Sequence, residues 1–348
     1  MKVISLILKL AAVGALAAAV FFIRPAAISG DRASSHEPPL SLTKIAFNFL
    51  ADTEAPLKGQ ERDRINVLVL GMTGVPHPAP FLTDTIIIAS IKPSPVRSSI
   101  ASNGASTSKL ALLSIPRDLL VKIPGSGART KINALFAMNG KDPALLAQTI
   151  ETITGQPIDY YLVLDVSGTQ QIVDSLGGLN VLVPDDVNDL AFPTDTGGTE
   201  TFAIEKGWRY FDGATVQKYL RTRHSKGGDF ARMRQQQAVI EALRKKVFGL
   251  NMLYDFPTVL SLYRTLTAHI QTDIGEKEVK RFYDIAQNIS YDNVIHTVVD
   301  GDPKDASALL KSKTIELGGM PAFVLVPKTG DFDYYSITET ATNIFNKP

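Results

Sequence analysis

Four arginines, one aspartate and a run of glutamines fall between Tyr219 and Gln237, around a Gly227-Gly228 break. The pattern reads as the end of one helix, a tight loop and the start of another. Asp229 is placed to cap the second helix, because its carboxylate can accept hydrogen bonds from the first free N–H groups. Arg232 and Gln236 are one helical turn apart and share a face near the positive end of that helix. Arg221 and Arg223 enter just before the loop. Guanidinium groups gathered at a helix N-terminus make a seat for a phosphate or pyrophosphate. Taken alone, the same residues also read as a solvated arginine–aspartate network at a helix corner.

A second candidate lies upstream. Lys109 to Ile115 is a short apolar run that ends in Pro116-Arg117-Asp118. An arginine just past a strand end sits where α/β sheets place their ligands. A structural Arg117–Asp118 corner is the other reading. The loop from Gly71 to Asp84 has glycines and three prolines but no Gly-Lys-Ser/Thr, so it is not a phosphate-binding P-loop.

The elements that must position these groups follow the apolar pattern. Strands are expected at Ile65–Leu70, Thr85–Ile91, Lys109–Ile115, Ile158–Asp165, Leu179–Val183, Val294–Val299 and Ala322–Val326. Helices are expected over residues 131–134 onward, 143–153, 167–176, 230–248, 257–270, 276–289 and 337–345, with Asp212 capping one through Leu220. Residues 93–108 and 184–198 read as loops, and Trp208, the sole tryptophan, as a packing residue. Strands alternating with helices after Ile65 indicate a layered α/β domain.

Bulk properties exclude several classes. A formal net charge of +1 gives no support for nucleic-acid binding. The absence of cysteine rules out disulfides, thiol catalysis and cysteine-based zinc sites. Val3 to Ile23 is apolar except for Ser5 and Lys9. As a helix it would run about 30 Å, enough to cross a bilayer core. Lys9 would cost roughly 2.5–3.5 kcal/mol at mid-membrane, relieved if it snorkels toward the side of Lys2. The run is expected to be an uncleaved anchor with a cytoplasmic N-terminus, a cleaved signal peptide being the alternative. Both put the remaining chain outside the cytoplasm. The expected division is an anchor over 1–24, a juxtamembrane linker over 25–60 and an extracytoplasmic domain over 61–348, with residues 251–348 packed on a core of 65–248.

Ordered blocks across residues 65–248 resemble the LytR–CpsA–Psr family of cell-wall polymer ligases. They are the strand into Gly71, Thr83-Asp84-Thr85, Ser114-Ile115-Pro116-Arg117-Asp118, Lys131-Ile132-Asn133-Ala134, Ile158-Asp159-Tyr160-Tyr161, Val173 to Gly178, Gly207 to Ala214, and Arg221-x-Arg223 through Gln237. The resemblance implies a three-layer α/β/α sandwich with a central mixed sheet, one N-terminal transmembrane helix and an apolar lipid pocket. It implies a phosphotransferase that moves a glycopolymer from a polyprenyl-pyrophosphate carrier to peptidoglycan. Arg117, Arg221 and Arg223 would bind the pyrophosphate, with Arg232 and Gln236 assisting. Asp229 would orient the arginines or take the acceptor's proton, and Asp84 would hold Mg²⁺, or Mn²⁺ in its place. Alternatives within the same resemblance are a non-catalytic polyprenyl-phosphate-binding scaffold or sensor, and a polyprenyl-pyrophosphate pyrophosphatase.

The chain departs from the family pattern at the metal loop. Gly71-Met72-Thr73-Gly74-Val75 stands where Gly-x-Asp-x-Arg is usual, and Leu82 stands where Arg-x-Asp-Thr has its arginine. One carboxylate and two cations are missing, with Thr73 or His77 as possible substitutes. Arg232-Met233-Arg234-Gln235-Gln236-Gln237 also alters the usual Arg-x-x-Arg-Gln-Gln run.

Overall fold

The computed structural model describes residues 55–346, apart from 73–80, 94–107, 166–167, 195–197, 223–234 and scattered positions between 236 and 306. The expected anchor at residues 1–24 lies outside the described residues. Among those that are described, no helix is long and apolar enough to cross a membrane.

The first strands are β1 (Ile65–Met72), β2 (Thr83–Lys92) and β3 (Lys109–Ile115). Their almost unbroken apolar runs reflect burial on both faces. In β1, Val67 and Val69 enter one core cluster, while Leu68 and Leu70 enter another. A short hairpin follows, β4 (Leu120–Lys122) with β5 (Arg129–Lys131). A 3-10 turn at Ile132–Ala134 leads into α1 (Leu135–Met138), and α2 (Ala144–Thr154) leads to β6 (Tyr160–Asp165). Next come α3 (Gly168–Ser175), β7 (Leu179–Val183), β8 (Val187–Pro193), β9 (Thr199–Ile204) and β10 (Gly207–Phe211). The chain continues through α4 (Gly213–Arg221), α5 (Phe256–His269), β11 (Ile270–Thr272), α6 (Glu278–Gln287) and β12 (Ile295–Val298). It finishes with β13 (Leu310–Leu317), β14 (Met320–Pro327) and α7 (Tyr335–Thr342).

A six-stranded mixed sheet runs in the order β11-β6-β1-β2-β3-β12. β1 is parallel to β6 and β3 is parallel to β12, while β2 is antiparallel to both its neighbours. The C-terminal ends of β6, β1, β3 and β12 therefore share one edge with the start of β2. Asp165, Met72, Thr83 and Pro116 lie along that edge. One face of the sheet is covered by Val279, Phe282 and Ile285 of α6. The other is covered by Leu146, Ile150 and Ile153 of α2 and by Ile337 and Ala341 of α7.

β7 to β10 form one long antiparallel ribbon. β7 pairs with β10 and β8 pairs with β9, with an interruption at Pro184–Asp186. The ribbon's inner residues, with α3 and α4, enclose a third core that includes Val181, Phe192, Phe211 and Tyr219. Two sequence expectations fail here. Residues 187–193 are a strand rather than loop, because Val187, Asp189 and Phe192 point inward while Asn188, Leu190 and Ala191 stay exposed. Trp208 is 59% exposed instead of packed, because it lies on the outward side of β10.

Candidate functional site

Pro116-Arg117-Asp118 is a pinned turn at the sheet edge. The Leu119 N–H donates to the Pro116 carbonyl at 3.1 Å, closing the turn. The Arg117 carbonyl accepts from the Asn133 N–H at 3.3 Å, and the Asp118 carbonyl from the Leu325 N–H at 2.9 Å. The Lys131-Ile132-Asn133-Ala134 block and β14 thus brace the turn from two sides. Proline ends β3 because it offers no donor to a further ladder bond.

Across this edge the structure joins two residues 33 positions apart. Arg117 Nη1 lies 2.5 Å from Asp84 Oδ1, at the start of β2. Arg117 Nε is 3.7 Å from Asp118 Oδ2, and Asp118 Oδ1 takes a 2.7 Å contact from Lys131 Nζ. The result is a row of alternating charge, Lys131–Asp118–Arg117–Asp84. Arg117 is about half exposed and Asp84 largely covered. The carboxylates hold the guanidinium through Nη1 and Nε, and the planar fork has five donors, so further N–H groups remain for an anion. Lys131 and Asp118 were not expected at the site from their types alone. The available signal was that both lie in ordered blocks, next to Arg117 and at the start of the 131–134 turn.

Arg221 is the last residue of α4, where a cation complements the negative end of the helix. That helix starts as expected: Asp212 Oδ1 accepts from the Thr215 N–H at 2.7 Å, and hydrogen bonding from the Thr215 side chain, then its N–H, holds the Asp212 carboxyl below its usual range. Arg221 stacks over Phe192 of β8, 5.4 Å from the ring centroid. Beside it, Thr222 Oγ1 donates to the buried Asp189 Oδ2 at 2.7 Å, and Lys218 Nζ meets Glu200 Oε1 at 2.6 Å. The ribbon thereby fixes the end of α4 that carries Arg221. Asp189 and Phe192 were missed in the sequence because their segment read as a loop.

The structure thus joins Asp84 with Arg117 and seats Arg221 on the ribbon. Arg223, Asp229, Arg232 and Gln236 lie outside the described residues, as do Thr73 and His77. Among the described residues no three His, Cys, Asp or Glu side chains converge as a metal cage.

The sequence model of the LytR_cpsA_psr family matches residues 40–315. The chain belongs to the LytR_cpsA_psr family. As a family member it is 30% identical over 208 residues to "Regulatory protein MsrR" of Staphylococcus aureus, covering 56% of this chain and 59% of that protein. It is 27% identical over 200 residues to the Enterococcus faecalis protein named polyisoprenyl-teichoic acid–peptidoglycan teichoic acid transferase TagU, covering 57% of each. The chain therefore spans less than two thirds of the length of either relative. Among solved structures, B. subtilis TagV superposes with a TM-score of 0.51 at 21% identity, over 82% of this chain and 98% of TagV. That likeness concerns the fold of the LytR_cpsA_psr chain.

Proposed function

We propose that the protein is a membrane-anchored, extracytoplasmic phosphotransferase. It takes a glycopolymer from a polyprenyl-pyrophosphate carrier and joins it to a hydroxyl of peptidoglycan. The observation that carries this reading is the Arg117–Asp84 pair, assembled across 33 residues at the sheet edge where α/β folds commonly place their ligands. Family membership and the printed activity of TagU support it. The apolar run Val3–Ile23 supports the anchor.

The acceptor oxygen attacks the phosphorus that bears the sugar. The bond from that phosphorus to the bridging oxygen breaks, and the electron pair leaves on polyprenyl phosphate. The acceptor's proton passes to a base, a role that fits Asp229. Arg117 and Arg221, with Arg223, neutralise the charge that grows on the bridging and non-bridging oxygens. Arg232 and Gln236 are proposed to complete the anion seat. Such donors accelerate the step because they are already aimed when the charge develops.

The donor set bears on the metal. Asp84 is one carboxylate, and it shares Oδ1 with Arg117. One carboxylate suits a hard cation such as Mg²⁺, which keeps several waters and takes its other ligands from substrate phosphates. When bound there it would supply Lewis-acid neutralisation of the leaving phosphate. Thr73 in place of the family's aspartate points to a weaker site, with metal and substrate binding together.

The test uses the full chain in detergent micelles with a polyprenyl-pyrophosphoryl oligosaccharide. Release of polyprenyl phosphate is followed with Mg²⁺, with chelator, and with or without a peptidoglycan acceptor. Release that depends on Mg²⁺ and acceptor and disappears in Arg117→Ala is the expected result. Tight lipid binding without release at any Mg²⁺ concentration would make the protein a polyprenyl-phosphate binder. Release independent of acceptor would make it a pyrophosphatase.

A further inference from the structure

Asp84 is the extra residue of a β-bulge. Gly71 pairs with Thr85 and Met72 with Thr83, so Asp84 has no partner on β1. A bulge re-aims the side chain it displaces. This one reaches Arg117 Nη1, 2.5 Å from its Oδ1. The Asp84 side chain is 17% exposed and that of Arg117 47%, so solvent reaches both. The two groups proposed to meet a metal and a phosphate thus satisfy each other.

One residue fixes the backbone on both sides of the pair. The Asn133 N–H donates to the Arg117 carbonyl at 3.3 Å, and the Asn133 carbonyl accepts from Thr83 Oγ1 at 3.3 Å. Thr83, next to Asp84, is fully buried. The pair itself is made by side chains alone, so parting it breaks no backbone bond of the turn. On the far side of the guanidinium, Asp118 Oδ2 lies 3.7 Å from Arg117 Nε, and Asp118 Oδ1 meets Lys131 Nζ at 2.7 Å. Arg117 therefore keeps a carboxylate neighbour when it leaves Asp84.

We infer that the Arg117–Asp84 ion pair is a mask: each residue blocks the other's ligand, and the pair parts only for a divalent cation and a diphosphate arriving together. Lys131, Asp118, Arg117 and Asp84 alternate in sign, so the row is neutral as it stands. A lone anion approaching Arg117 is repelled by the Asp84 carboxylate. A lone divalent cation approaching Asp84 is repelled by the guanidinium. When both come, Asp84 turns to the cation and Arg117 to a phosphate oxygen. The alternation of sign then runs unbroken from Lys131 through the ligands to Asp84.

The inference rests on the reading that gives Arg117 the phosphate and Asp84 the metal, and adds a coupling between them. Such a coupling is reciprocal, so each ligand strengthens the other by the same factor. It also has an unusual sign. Removing one member of the mask improves the binding of the other member's lone ligand. An exposed ion pair competes with a ligand by up to about fivefold. Repulsion of a divalent ion by a like charge about 5 Å away adds a factor of similar size at moderate salt.

The full chain in detergent is titrated with Mn²⁺ alone by electron paramagnetic resonance and with inorganic pyrophosphate in chelator by calorimetry. A third titration uses the preformed Mn²⁺–pyrophosphate complex. The wild type should bind the complex more tightly than either part. Arg117→Ala should bind Mn²⁺ alone about fivefold or more tightly than the wild type. Asp84→Asn should bind pyrophosphate alone tighter by a similar factor. Each variant should bind the complex more weakly, and melts followed by circular dichroism should stay within about 4 °C of the wild type. Unchanged Mn²⁺ affinity in Arg117→Ala, or unchanged pyrophosphate affinity in Asp84→Asn, overturns the mask. So does a wild type that binds Mn²⁺ alone as tightly as it binds the complex. Polyprenyl phosphate release that needs Mg²⁺, without either affinity gain, removes the mask and leaves the transfer reading intact. Both gains without any release keep the mask and remove the transfer reading.

Discussion

Arg117→Ala separates a working anion site from a structural corner. The side chain is 47% exposed, which puts its ion pair with Asp84 in the surface regime of about 0–1 kcal/mol. The backbone bonds that pin the turn do not involve the guanidinium. At roughly 2–4 °C per kcal/mol for a mid-sized domain, the melting temperature should fall by no more than about 4 °C. The effect on turnover should be much larger. Two charge-assisted hydrogen bonds to a pyrophosphate contribute about 1.5–3 kcal/mol each. Losing both lowers kcat/KM by about 10²- to 10⁴-fold. The assay is polyprenyl phosphate release by the full chain, beside a calorimetric melt of the same sample. Arg117→Lys keeps the charge but not the fork, so its loss should be intermediate. Because Asp84 is also proposed to hold Mg²⁺, adding Asp84→Asn to Arg117→Ala should lower turnover further. Near-normal turnover in Arg117→Ala would refute the reasoning. So would a drop of about 10 °C in melting temperature accompanying the lost activity, which would make Arg117 a fold residue.

Three further outcomes follow from named contacts. Thr222→Val removes the bond to buried Asp189 at nearly constant volume, costing about 1.5–3 kcal/mol in chemical denaturation. It should also lower turnover, because the ribbon then holds the Arg221 end of α4 less firmly. Asp212→Ala should cost about 1 kcal/mol at neutral pH. Because the side-chain and backbone bonds from Thr215 depress the Asp212 pKa on folding, its contribution is present above the unfolded value and is lost as pH falls through the folded one. The gap between wild type and variant should therefore close below about pH 4, seen in urea melts across pH. Tyr160→Phe removes an Oη that donates to Glu278 Oε1 at 2.6 Å and accepts from the Lys58 N–H at 2.8 Å, and should cost about 1–3 kcal/mol. Burial, reinforced by Glu278, pushes the Tyr160 ionisation up, so wild type should lose part of this advantage as pH rises above about 10.

Local chemistry made much of this protein legible in one dimension. The runs Ile65–Leu70, Thr85–Ile91 and Lys109–Ile115 are strands because burial on both faces demands unbroken apolar character. Asp212 announced a helix start because a cap is made within four residues. Arg117 was marked by the proline that stops its strand. The ordered blocks were enough to indicate the family, since order along a chain is itself sequence information.

Only the tertiary structure decided which of these groups meet and which faces stay wet. Asp84 reaches Arg117 because β2 and β3 are antiparallel neighbours, a choice of partner made by the whole sheet. Residues 187–193 looked like a loop because their buried and exposed faces do not follow residue polarity: Leu190 and Ala191 are exposed, while inward Asp189 is buried and bonded to a threonine 33 positions away. Trp208 looked like core because tryptophan usually is. Its exposure follows from the register of β10 on β7, in which a shift of one residue would exchange the buried and the exposed face. Strand pairing and register are set by contacts distant in sequence, so residue type and spacing could nominate the chemistry of this chain but not the surface on which it is displayed.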